Sequence, residues 1–101
     1  MTRYKTRPGV VLTSICGEHI LVAAKSLRNV CPYVTNINET SAFLWQRLVG
    51  GATVKQLMDA VEAEYELEDE GAALEAVNAF VNQLIELNYL IPDDGGEKYE
   101  N

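Results

Sequence analysis

The first third of the chain carries short apolar, β-branched runs separated by turn and polar residues. Val10 to Cys16 is rich in β-branched residues, and His19-Ile20-Leu21-Val22-Ala23-Ala24 is a second apolar run. Both lengths suit half-buried strands. Gly17-Glu18 lies between them. A Gly-X pair in that place predicts a two-residue type II′ hairpin turn, because glycine takes the positive φ at the first turn position without steric cost. Ser26 to Asn29 reads as a polar connection. Pro32-Tyr33-Val34-Thr35-Asn36-Ile37 reads as a third strand. Pro32 has no N–H for a ladder bond, so it suits a strand start or a sheet edge.

From Asn38 onward the spacing becomes helical. Asn38 is a good N-cap for a helix over 39–49, and Glu39 in its first turn complements the helix dipole. Leu44, Trp45 and Leu48 form its apolar stripe, and Gly50-Gly51 ends it. Thr53 and Gln56 have the spacing of a capping box for a second helix, on which Val54, Leu57, Met58, Val61 and Tyr65 share a face. A third helix is predicted from Asp69 to Leu87. Asn88 follows it and accepts the left-handed angles that close many helices. Tyr89 to Pro92 then reads as a short extended segment that packs back. Residues 1–9 are polar and basic up to Pro8-Gly9 and are expected to be a flexible arm, with the domain over 10–92. The tail over 93–101 is polar, carries glycine and is expected to be disordered.

The third helix has more apolar surface than a core contact requires. Leu74, Val77, Phe80, Val81, Leu84, Ile85 and Leu87 cover an arc of about 160° at helical spacing, where a little over 100° would suffice. Either the helix is sunk deeply into its own domain or one border forms a groove wall for a partner.

Composition and charge narrow the function classes. A chain of 101 residues, nearly half of them hydrophobic, is one folded domain. Its longest apolar runs are too short to span a bilayer, and the basic N-terminus is not followed by the apolar stretch of a signal peptide, so the expected location is the cytoplasm. Cys16 and Cys31 lack metal-ligand spacing and read as reduced, partly buried residues. The net charge is −7, and no Lys or Arg stands between Lys55 and Lys98. That half of the molecule repels phosphate backbones. It would steer toward a partner with a basic patch. Glu62 to Glu70 otherwise reads as a solvated face. The single histidine, His19, has no evident nucleophile, so the residues point to no catalysis and call for no cofactor or metal.

One ordered series of short motifs resembles a known family. Ile37-Asn38-Glu39-Thr40-Ser41-Ala42-Phe43-Leu44-Trp45, then Leu48-Val49-Gly50-Gly51-Ala52-Thr53-Val54, then Phe80-Val81-Asn82-Gln83-Leu84 with Asn88-Tyr89-Leu90, resemble PqqD-like proteins at matching spacings. Asn88 stands where the family usually has glycine, and both residues accept the same backbone angles. The resemblance implies an α+β, winged-helix-like domain with three N-terminal antiparallel strands followed by three helices. It also implies a RiPP recognition element, which binds the leader of a ribosomally made precursor peptide and hands it to a modifying enzyme, often a radical SAM enzyme. In such domains the leader adds as a strand beside the third strand, against the third helix. Here the edge would be Tyr33, Val34, Thr35, Asn36 and Ile37. The wall would be Leu74, Val77, Val81 and Ile85, with Asn78 placed to meet a peptide carbonyl. An exposed edge also permits a homodimer by strand pairing.

The rival is a winged-helix regulator that binds protein or DNA. A DNA reader needs a basic footprint on its recognition helix. Asp69 to Leu87 carries Asp69, Glu70, Glu75 and Glu86 and no basic residue.

Overall fold

The computed structural model describes residues 2–93. Strand β1 (Arg3–Thr6) precedes a hairpin of β2 (Val10–Ile15) and β3 (Glu18–Ala23), a 3-10 turn over Lys25–Leu27, and β4 (Val34–Ile37). Helix α1 (Glu39–Val49), a two-residue strand β5 (Ala52–Thr53), α2 (Val54–Glu64), α3 (Glu70–Glu86) and β6 (Leu90–Pro92) complete the chain. The expected α+β order holds: three antiparallel strands, β2-β3-β4, come before three helices. The winged-helix description fits this order by analogy.

The hairpin turn differs from expectation. Ile15 pairs with Glu18, so the two loop residues are Cys16 and Gly17, with φ of 53° and 81°. Two positive angles make a type I′ turn, not type II′, one residue earlier than the Gly-X rule placed it. Cys16 takes the less comfortable of the two positions and is exposed at the tip, while Cys31 is buried. Partial burial therefore holds for Cys31 only.

Alternation sorts the sheet into two faces. Val10, Leu12, Leu21, Ala23, Thr35 and Ile37 turn inward, while Val11, Val22 and Val34 line up across the outer face. The helices close over the inner face. Asn38 Oδ1 accepts the Ser41 N–H at 2.8 Å. Thr53 and Gln56 form the reciprocal capping box, and Asp69 Oδ1 accepts the Ala72 N–H at 3.0 Å. Each cap satisfies an N–H with no partner inside its helix. Leu44, Trp45 and Leu48 on α1, Leu57, Met58 and Val61 on α2, and Val77, Phe80, Val81 and Leu84 on α3 meet in one core.

The N-terminal segment corrects the flexible-arm expectation. Arg3–Thr6 is the central strand of a second sheet, with order β5-β1-β6. Its register pairs Tyr4 with Ala52 on one side and with Pro92 on the other. The Arg3 guanidinium reaches Asp93, the Gln56 side chain and the Gly50 carbonyl, each within 3.4 Å. A four-residue strand built mostly of polar residues has too weak a periodicity to be seen in sequence, and its partners lie about fifty and ninety positions away. The expected disordered tail lies outside the described residues except for Asp93, whose N–H donates to the Arg3 carbonyl.

Candidate functional site

The site is built around β4, which ends its sheet. The Ala23 N–H donates to the Tyr33 carbonyl at 2.9 Å, which fixes the phase of the β3–β4 ladder. In an antiparallel pair, alternate residues direct both backbone groups to the partner. Tyr33, Thr35 and Ile37 therefore face β3. Val34 and Asn36 direct their N–H and C=O away from the sheet, giving four strand-pairing groups along about 13 Å of edge. Among the described residues no strand pairs with that edge.

One face of helix α3, from Ala73 to Gln83, shares a cavity with Asn38, Thr40 and Ser41, just beyond the end of β4. Past the C-terminus of the helix Tyr89, fully buried, reaches the start of β4. The Tyr89 hydroxyl lies 2.7 Å from Thr35 Oγ1 and donates to the Pro32 carbonyl at 2.9 Å. If Tyr89 donates to Pro32, Thr35 must be the donor in the other bond. The Tyr89 ring meets Trp45 edge to face, with centroids 6.3 Å apart. Asn88, in the left-handed region at φ 65°, turns the chain so that its amide reaches the Val30 carbonyl at 2.8 Å. Burial pushes the Tyr89 phenol above its ordinary pKa, against the opposing effect of the Thr35 hydrogen bond. Burial raises the Cys31 thiol likewise, opposed by Arg7.

Two recesses adjoin the chain just before and just after β4. The larger, about 680 Å³, is lined by Leu44, Val61, Leu67, Val77 and Phe80 together with Ala73, Ala76, Ala79, Gln83 and Glu66. The smaller, about 440 Å³, is lined by Lys25, Arg28, Cys31, Pro32 and Tyr33 at the start of β4. An open strand edge with apolar hollows beside it can hold an extended peptide: backbone groups supply general affinity and the hollows select side chains.

The family model for coenzyme PQQ synthesis protein D (PqqD) matches residues 18–90. The chain belongs to the PqqD family. The solved structure of lasso peptide synthetase B1 complexed with the leader peptide is similar, with a TM-score of 0.68 at 22% identity, over 88% of this chain and 98% of that one. TbiB1 in complex with the TbiA(beta) leader peptide is similar too, with a TM-score of 0.67 at 21% identity, over 96% of this chain and 99% of that one. Comparison with curated proteins found no match.

The PqqD-family fold distributes the predicted site residues unevenly. Val34 and Asn36 are exposed and offer the free edge, Thr35 and Ile37 turn inward, and Tyr33 lines the smaller recess. On α3, Val77 lines the larger recess. Val81 is only 2% exposed and belongs to the core. Leu74 and Asn78 are exposed and Ile85 is partly buried, and none of the three lines that recess. At 100° per residue the recess takes the border of Ala76, Ala79 and Gln83, on the other side of the buried stripe from Leu74, Asn78 and Ile85. The large aliphatic residues put the expected wall on the border that faces away from this recess. A row of alanines signals close approach but carries little hydropathy. Tyr89, Lys25, Arg28 and Glu66, which contact β4 or line the recesses near its ends, were not among the expected site residues. The buried Tyr89 hydroxyl has no sequence signal beyond the aromatic ring. α3 carries Glu70, Glu75 and Glu86 and no basic residue, so the DNA reading lacks its electrostatic footprint.

Proposed function

We propose that this PqqD-family protein is a non-catalytic recognition element. It binds the leader region of a ribosomally made precursor peptide by strand addition along β4 and presents it to a peptide-modifying enzyme in the cytoplasm, a radical SAM enzyme being the class that the family resemblance implies. The observation that carries this is the free β4 edge, with Val34 and Asn36 directed outward between two recesses. Two structural neighbours that were solved with leader peptides support it. The site as proposed comprises Val34 and Asn36 for the backbone ladder, and Tyr33, Val77, Ala76, Phe80 and Gln83 around the side-chain hollows.

Four backbone hydrogen bonds contribute about 0.5–1.5 kcal/mol each, and the loss of translational freedom takes back a large part of that. With one or two buried side chains at about 1.5–3 kcal/mol each, the affinity is no tighter than about 1 μM. A homodimer through β4 would use the same four groups, so peptide and second copy compete.

Hydrogen exchange tests the proposal. The amides of Val34 and Asn36 should exchange fast in the free protein. They should slow when the chain is mixed with a synthetic peptide taken from a short reading frame beside its gene, while those of Thr35 and Ile37 change little. Slowing confined to other strands or to the helix surfaces would rule out strand addition at β4.

A further inference from the structure

The two recesses differ in charge as well as size. Lys25 and Arg28 border the one at the start of β4, and Glu66 borders the one at its end. All three side chains are exposed, and the ion pairs among the described residues, Arg3–Asp93 and Lys55–Asp59, involve none of them. Glu68, Asp69 and Glu70 follow Glu66 along the chain, and no basic residue lies between Lys55 and Lys98 in the sequence. From Pro32 to Asn38 an extended chain covers about 20 Å. The Debye length at physiological salt is about 8 Å, so a charge at one end of the groove is screened from the other. The groove therefore has a positive end and a negative end that a guest feels separately.

We propose that this groove reads the charge order of its peptide. The inference rests on the strand-addition reading above and adds the occupant's chemistry and direction. Antiparallel pairing is the stronger ladder, and β4 runs from the Lys25/Arg28 end to the Glu66 end. An antiparallel guest thus enters with its N-terminal side at Glu66 and leaves with its C-terminal side at Lys25 and Arg28. The occupant is an extended segment with a Lys or Arg near its start and an Asp or Glu about seven residues later. An apolar side chain close to the basic residue fills the larger recess beside Val77 and Phe80. Lys25, Arg28 and Glu66 are specificity-determining residues. They do not build the core, and a guest of reversed order meets like charge at both ends.

The test is selection from a displayed library of random 12-residue peptides on the full chain, with the Asn36→Pro variant as the blocked-edge control. Proline there removes an outward N–H. Enriched peptides should carry a basic residue upstream of an acidic one. A synthetic peptide of that order should bind about tenfold more tightly than its charge-swapped isomer, as two exposed ion pairs gained rather than opposed would give. The triple variant Lys25→Glu, Arg28→Glu, Glu66→Lys should reverse the preference, and 1 M salt should erase it. Enrichment on the wild-type chain without charge bias, or with the opposite bias, would overturn the charge-order inference and leave strand addition standing. Enrichment equal on the wild-type and Asn36→Pro chains would overturn strand addition itself.

Discussion

Among the described residues the sheet β2-β3-β4 has two open edges, and they are not equivalent. β2 has six residues and β4 four. By length alone β2 would be the better template for a guest strand. On β2 the groups directed outward belong to Leu12 and Ser14, as the Ile15–Glu18 pair that closes the hairpin sets the phase. No residue of β2 lines either recess. β4 is tied to Tyr89 through Thr35 and the preceding Pro32, with a hollow near each end. An edge becomes a binding site when neighbouring elements fix its position and supply side-chain pockets. Unpaired backbone alone is general to both edges and selects nothing.

The support behind β4 can be removed in steps of decreasing size. Trp45 is 1% exposed and packs on the Tyr89 ring. Trp45→Ala should destabilise the fold by about 3–5 kcal/mol, read from denaturant midpoints, because a large cavity opens at the centre of the core. Both edges should suffer equally, and a midpoint that barely moves would place Trp45 outside the core.

Tyr89→Phe keeps the ring and deletes the hydroxyl that bridges Thr35 and Pro32. The expected loss is about 1–3 kcal/mol, since the Pro32 carbonyl and Thr35 hydroxyl lose a buried partner. The damage should be local. Amides of β4 should exchange faster relative to those of β2, and equal acceleration of both strands would mean that Tyr89 does not anchor β4 in particular.

Proline substitutions compare the edges directly. Asn36→Pro and Ser14→Pro each remove one outward N–H. The first should weaken binding of a cognate peptide by about tenfold or more, the worth of one ladder bond and the fit around it. The second should leave affinity unchanged while costing similar stability. Calorimetry on both variants decides, and equal losses of affinity would move the site off β4.

The smallest expected effect is on the pH profile. Tyr89 and Cys31 both have pKa values raised chiefly by burial. Their neutral forms are the ones the fold accommodates. Their stabilising contribution is fully present below the ordinary thiol and phenol values, and it is lost as pH rises past about 9 and then about 10 toward the higher native values. The thermal midpoint should therefore fall on the alkaline side, and Tyr89→Phe should flatten the upper part of that fall. A midpoint rising above pH 10 would contradict the sign.

Local chemistry was legible where a feature depends on neighbours in sequence. The caps at Asn38, Thr53 and Asp69, the helix over 39–49 and the left-handed Asn88 all follow from interactions within four residues. The strand over 32–37 was legible in the same way, while its place at an edge, given for Tyr33 to Ile37, came only with the family resemblance. The PqqD resemblance came from the same short-range signals, strung in order. Other features depend on residues that meet only in the fold. β1 takes its place by pairing with β5 and β6. The border of α3 that lines the recess is Ala76, Ala79 and Gln83 because Val81 is sunk into the core. Periodicity gives the width of an apolar arc but not which margin remains uncovered, for that is decided by the elements packed against it. The partnership of Tyr89 with Thr35 and Pro32 joins positions more than fifty residues apart, and only the packing of α3 against the sheet brings them within hydrogen-bond reach.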